Sequence, residues 1–227
     1  MAAARKLVRA TPPHVVVHHV ALIADGFAGG GERMSGAEVQ RRTLDALEGA
    51  LLHVHLRDHG VDDVAFATEA EAFVRRLRAA HRALAISINT HLDVAEALGT
   101  GIHLGHRGPS VEEARRRLGP DALVSASVHS PGEAGRAAAS GADAVYFSPV
   151  FPTTSKPGHP GTGLDMLRAC CEAVPETHVF ALGGVTPGRV PACLDAGAWS
   201  VAVLSGILHA ADPAEAAVRY SAHLQLP

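Results

Sequence analysis

The chain has 227 residues, a formal net charge of −3, 47% hydrophobic residues and 19% charged residues. That length buries a full core, and one α/β barrel of roughly 200–250 residues is as natural a reading as two smaller domains. The near-neutral charge argues against a polyanion-binding surface, so no nucleic-acid partner is expected. Cys170, Cys171 and Cys193 show no CxxC spacing, which argues against a disulfide framework. The longest N-terminal apolar candidate, 15–24, is broken by His18 and His19 and falls short of the ~20 residues that cross a bilayer. Residues 1–13 lack a signal-peptide pattern and read as a disordered leader on a cytoplasmic protein, with 14–227 as one domain.

Short β-rich runs alternate with amphipathic stretches, placing strands near 19–24, 51–57, 83–88, 101–105, 123–128, 144–148, 177–182 and 200–204. The first strand runs into Asp25-Gly-Phe-Ala-Gly-Gly-Gly31, which lacks the GxGxxG order; a nicotinamide cofactor is disfavoured and none of any kind is expected. Helix starts are marked by Ser35-x-x-Glu38, Ser110-x-x-Glu113 and Ser130-x-x-Glu133, and by Thr186-Pro187 and Asp212-Pro213. Gly99, Gly119, Gly141 and Gly197 close helical stretches as left-handed caps. Between 62 and 81, Phe66, Ala70, Phe73 and Leu77 recur at helical spacing, the pattern of an ordinary core-packing helix. Eight alternating βα units with right-handed crossovers predict a single (β/α)8 TIM barrel.

Strand parity then assigns faces. In the second strand His53, His55 and Arg57 oppose Leu52, Val54 and Leu56; in the third Ser87 and Asn89 oppose Ile86 and Ile88. In the fifth Ser125, Ser127 and His129 oppose Val124, Ala126 and Val128, and in the fourth His103 faces inward between Gly101 and Gly105. The outer helices take the aliphatic face, so the polar side chains converge inside, where a purely structural barrel carries Val, Ile and Leu. For His53 and His103 the competing reading is a buried ring satisfied by a neighbouring hydroxyl or carbonyl. His129 and Arg57 are the stronger candidates for chemistry. A metal centre from His55, His103 and His129 is a third reading, set against the lack of an Asp or Glu at an adjacent strand end; no metal site is expected.

The loops add a second signal. Strand seven ends in Gly183-Gly184 and strand eight in Ser205-Gly206, at the rim where barrel enzymes commonly hold a phosphate. The loop 149–161 is rich in Gly and Pro and carries Lys156, one of only two lysines beside eighteen arginines. It either closes over an anion or is a mobile surface loop.

Asn89, Ile102-His-Leu-Gly105, Ser127-Val-His129-Ser130, Gly141-Ala-Asp143, Pro149-Val-Phe-Pro-Thr153 with Lys156, Ala181-Leu-Gly-Gly184 and Val203-Leu-Ser-Gly-Ile207 occur together, in this order. Over residues 22–224 the chain resembles the thiamine phosphate synthase/TenI superfamily. The resemblance implies the barrel fold, a phosphorylated thiazole as small-molecule partner with its phosphate on Gly183, Gly184, Ser205 and Gly206, and a place in thiamine biosynthesis. Synthases of the superfamily carry Asn-Asp after strand three and an Asp three residues beyond the His-Leu-Gly run, both serving Mg²⁺. Here those positions are Asn89-Thr90 and Gly108, and the signature Gln-x-Arg-x-Lys appears as His55-Leu-Arg57-Asp-His59. Loss of both carboxylates removes a metal clamp. The Ser-Val-His129-Ser run looks like the TenI branch, which implies a metal-free thiazole tautomerase with His129 as acid and base. Arg57, His55, His59, Asn89, Ser127 and Lys156 are then substrate contacts, with Arg57 suited by charge to a carboxylate. The alternatives are a thiamine phosphate synthase and a non-catalytic thiazole-phosphate binder that regulates; a homo-oligomer is possible, and the oligomeric state stays open.

Overall fold

A computed structural model of the chain describes residues 19–224 except 32, 51 and 83; the expected leader and the first residues of two expected strands lie outside the described residues. Eight parallel strands close in sequence order into one barrel: β1 (Ala21–Asp25), β2 (His53–Arg57), β3 (Ile86–Asn89), β4 (Gly101–Leu104), β5 (Val124–Val128), β6 (Ala144–Phe147), β7 (His178–Leu182) and β8 (Ser200–Val203). Closure is made by β1 against β8, with Ala21 beside Ala202 and Leu22 beside Val203. The helices are α1 (Gly36–Gly49), α2 (Asp63–Ala80), α3 (Leu92–Leu98), α4 (Val111–Leu118), α5 (Pro131–Ala139), α6 (Gly163–Ala173), α7 (Val190–Asp195), α8 (Ser205–Leu208) and α9 (Pro213–Ser221).

The expected caps form where the side chain reaches the backbone. Ser35, Ser110, Ser130 and Asp212 accept from the amides of Glu38, Glu113, Glu133 and Glu215, each a contribution of about 1 kcal/mol. Thr186 differs. Its side chain makes no cap, and Pro187–Arg189 is a single 3₁₀ turn leading into α7. Gly99, Gly119, Gly141 and Gly197 all have positive φ; Gly99 is a left-handed cap at φ 59°, ψ 45°, whereas Gly119, at ψ −179°, stops α4 outside the left-handed helical region.

Parity divides the core in two. The outward-facing aliphatics of every strand, from Leu22 and Ala24 round to Val201 and Val203, pack under the helices in one continuous layer. α2 adds Phe66, Ala70, Phe73 and Leu77 to it, and Phe27 meets Phe66 edge-on at 5.2 Å between ring centroids. The second cluster is inside the barrel: Ala21, Ile23, Ala144, Tyr146, Phe180 and Ala202. It fills only the side formed by β6, β7, β8 and β1.

Candidate active site

The other side of the interior is polar and almost fully hydrogen-bonded. His53 Nε2 is 3.0 Å from Ser87 Oγ, and its Nδ1 is 3.2 Å from the Tyr146 hydroxyl. His103 lies between two serines. Ser125 donates to the Ile102 carbonyl, so it accepts from His103 Nδ1–H at 2.9 Å, and His103 Nε2 is left to accept from the Ser127 hydroxyl at 2.8 Å. Ser127 therefore spends its proton downward and turns lone pairs towards the strand ends. His55 donates through Nε2 to Asn89 Oδ1 at 3.3 Å, while its buried Nδ1 has no partner among the described residues. Burial keeps these rings neutral: it lowers His53 to about 4 and His103 to about 3, and holds His55 well below the ordinary histidine value.

This network answers the metal-centre reading. The His55 and His103 rings are 4.6 Å apart, but both His103 nitrogens are taken by serines and His129 Nδ1 is turned to the Ser148 carbonyl. The three rings do not converge on one point.

Above the network, at the C-terminal ends of the strands, a cavity of about 590 Å³ opens. Arg57, Ser127, His129, Lys156, Gly183, Gly184, Ser205 and Gly206 all line it. His129 is held twice: its backbone N–H donates to Glu133 Oε2 at 2.7 Å, and its ring Nδ1–H donates to Ser148 O at 2.6 Å. That fixes the tautomer and leaves Nε2 as an acceptor. A second cavity of about 390 Å³ adjoins the first, sharing Arg57, Thr154, Ser155, Leu204 and Ser205 with it, and adds Arg33, His59 and His209. His55 and Asn89 line neither cavity; they lie beneath, in the buried network.

Arg57 stands at the junction. Its Nε and Nη2 donate to the two Asp25 oxygens, each at 2.9 Å, so part of the fork expected to meet a ligand is spent on an internal carboxylate. Asp58, next in sequence, is buried and accepts from the amides of Ala28, Gly30 and Gly60 at 2.9–3.0 Å. It pins the glycine-rich β1–α1 loop to the β2–α2 loop and so places Arg33 beside the smaller cavity.

The rim glycines have packing reasons of their own. Gly183 has φ +97°, and a Cβ there would lie 2.8 Å from Pro149 Cα; at Gly184, φ +63°, a Cβ would collide with the Pro152 carbonyl. Only glycine lets the 149–161 loop lie against the end of β7, where Val150 and Phe151 donate to Leu182 and Gly183 carbonyls at 2.9 and 3.0 Å.

Three residues escaped the reading of the sequence. His106 lines the large cavity with its ring 5.0 Å from that of His129, and His209 lines the small one, its pKa lowered by burial and by Arg33 and Arg42. Arg189 lines the large cavity beside Gly184. For Arg189 a signal exists: a cation at the start of a helix runs against the helix dipole.

Residues 30–207 match the model of the family described as thiamine monophosphate synthase. The chain belongs to that family. It is 44% identical over 137 residues to a thiamine-phosphate synthase of Salinibacter ruber, a match covering 60% of each chain and so less than two thirds of that relative's length. It is 36% identical over 185 residues to a thiamine-phosphate synthase of Acidothermus cellulolyticus, covering 80% of this chain and 86% of the relative. Its fold is that of a thiamine phosphate pyrophosphorylase from Pyrococcus furiosus, with a TM-score of 0.75 at 24% identity over 91% of this chain and 95% of the other.

These relatives overturn the expectation of a thiazole tautomerase. Those at 36–44% identity are named as synthases; the expectation rested on two missing carboxylates and one histidine-containing run, which are few positions against an alignment of this length.

The missing carboxylates remain a property of the chain. Thr90 and Gly108 face each other, with a Cβ at Gly108 falling 3.3 Å from Thr90 Cγ2, so the two substituted positions form one uncharged patch. Among the described residues, no three His, Cys, Asp or Glu side chains are grouped to hold a metal ion. Positions 90 and 108 therefore offer no carboxylate to the Mg²⁺ that the resemblance implies for synthases. Among the described residues no helix is long and apolar enough to cross a membrane.

Proposed function

We propose that the chain is a thiamine-phosphate synthase, which joins hydroxymethylpyrimidine pyrophosphate to thiazole phosphate and releases pyrophosphate. The observation that carries this reading is the pair of adjoining cavities sharing Arg57. A coupling reaction needs two ligands held side by side, each with its own anionic group, whereas a proton shift within one ligand needs one compartment. The relatives' names agree with it.

In this reading the larger cavity takes the thiazole phosphate, with its phosphate against the backbone of the Gly183-Gly184 and Ser205-Gly206 loops. The pyrophosphate end of the pyrimidine lies towards Arg57, Lys156 and the Arg33, His59 and His209 side. The thiazole nitrogen forms the new C–N bond to the pyrimidine methylene, and the C–O bond breaks with its electron pair leaving on pyrophosphate. No proton need be removed to complete this exchange. His129 Nε2 and Ser127 present acceptors to the bound rings, and the juxtaposition of the two ligands supplies the main acceleration. With no carboxylate pair at 90 and 108, the charge of the departing group falls to Arg57, Lys156 and Arg33.

Incubating the purified chain with both substrates, with and without Mg²⁺, tests the proposal. Formation of thiamine phosphate and pyrophosphate is expected; the absence of both products under either condition refutes it.

A further inference from the structure

Arg189 is a cation held in place without an ion pair among the described residues. Its Nη1 donates to the Gly184 carbonyl at 2.7 Å, and its guanidinium carbon stands 4.5 Å from the centroid of the Phe151 ring. Those contacts anchor it from two directions, and they spend one of its five N–H donors. It lines the larger cavity together with Gly183, Gly184, Ser205 and Gly206. By contrast Arg57, the other arginine of this cavity, already faces Asp25.

We infer that Arg189 supplies the fixed positive charge for the phosphate bound at the β7 and β8 loops, and sets the preference for a phosphate ester over the corresponding alcohol. The backbone amides provide directed donors but only partial charge, so they discriminate weakly between a dianion and a neutral hydroxyl. A guanidinium held on an aromatic face adds a full charge in a pre-set orientation, so little side-chain freedom is lost on binding. The same contacts clamp the 149–161 loop to the β7–α7 turn, and that clamp is the competing explanation for this arginine. The inference rests on the proposed function only for the identity of the ligand; the charge and its placement do not depend on it.

The test compares Arg189→Gln and Arg189→Lys in the full chain. Glutamine keeps a polar stem beside Phe151 but is shorter and removes the charge. Lysine keeps the charge and loses the planar fork. With inorganic phosphate as probe, titrated by calorimetry, Arg189→Gln is expected to weaken binding about tenfold or more, with lysine between glutamine and wild type. Thermal unfolding without phosphate is expected to be nearly unchanged in both. Wild-type affinity in Arg189→Gln, or lysine as weak as glutamine, overturns the inference. So does a wild-type chain that binds no phosphate. The two proposals fail separately: phosphate binding that depends on Arg189 without synthase turnover sinks the activity alone. Turnover with an unchanged KM for thiazole phosphate in Arg189→Gln sinks this inference alone.

Discussion

Between β6 and β1 the barrel interior is filled by Ile23, Tyr146, Phe180 and three alanines, whereas between β2 and β5 the equivalent positions carry His53, His55, Ser87, Asn89, His103 and Ser125. The rim follows the same division. Above the apolar half lie the glycine loops and Arg189; above the polar half lie His129 and the uncharged Thr90–Gly108 patch. The apolar half gains stability from area removed from water, roughly 1.5–3 kcal/mol per large side chain. The polar half gains little net energy from hydrogen bonds that replace those made with water. It obtains orientation instead: a continuous set of bonds that fixes each tautomer and, through His103, the direction of the Ser127 proton.

That contrast makes acid the largest lever. The folded pKa values of His53, His55 and His103 lie below that of an exposed histidine. As pH falls below about 6.5 the unfolded chain binds protons that the folded chain refuses, so stability drops. The loss continues down to each folded value. By pH 5 it amounts to roughly 2 kcal/mol for each ring fully resisting protonation. Urea midpoints at pH 7.5 and pH 5 measure it; equal midpoints would show that the polar half admits protons freely.

Next comes the apolar half. Phe180→Ala removes a ring stacked 4.9 Å from Tyr146 and is expected to destabilise by about 3–5 kcal/mol at any pH between 6.5 and 8. Chemical denaturation checks both the size and the lack of pH dependence. Ser125→Ala in the polar half strands the Nδ1–H of His103 and should cost about 1–3 kcal/mol. It should also raise KM for at least one substrate, because His103 no longer directs the Ser127 hydroxyl. A Ser125→Ala enzyme with wild-type KM values would separate the network from the site.

The smallest effect belongs to Thr90. A β-branched residue at φ 58° is strained, so Thr90→Asn should stabilise by up to about 1 kcal/mol. A melting temperature that stays the same or falls would mean that the Thr90 hydroxyl, which donates to the Asn89 carbonyl at 2.8 Å and accepts from its side chain, compensates the backbone.

The division into halves was half legible in the sequence. Alternation along each strand places His55 opposite Val54 and Ser127 opposite Val128, and this period of two depends only on local geometry, so the closed barrel and its polar interior follow from it. The caps at Ser110 and Ser130 are equally local. Contacts between distant segments carry no such mark. Nothing near Arg57 announces that Asp25 will take two of its donors, and nothing near Asp58 announces three amides from two loops. Arg189 meets Phe151 only because the loops after β6 and β7 lie together. The activity is hidden for a related reason: Thr90 and Gly108 can be read locally as lost ligands, whereas the two adjoining cavities are formed by loops distant in sequence.

In the proposed coupling the two adjoining cavities hold one substrate each. A quenched-flow assay of the purified full chain, supplied with hydroxymethylpyrimidine pyrophosphate and thiazole phosphate, measures it most directly. Thiamine phosphate and pyrophosphate appearing in equal amounts is the predicted result, and a chain that binds both ligands yet releases neither product would contradict the account.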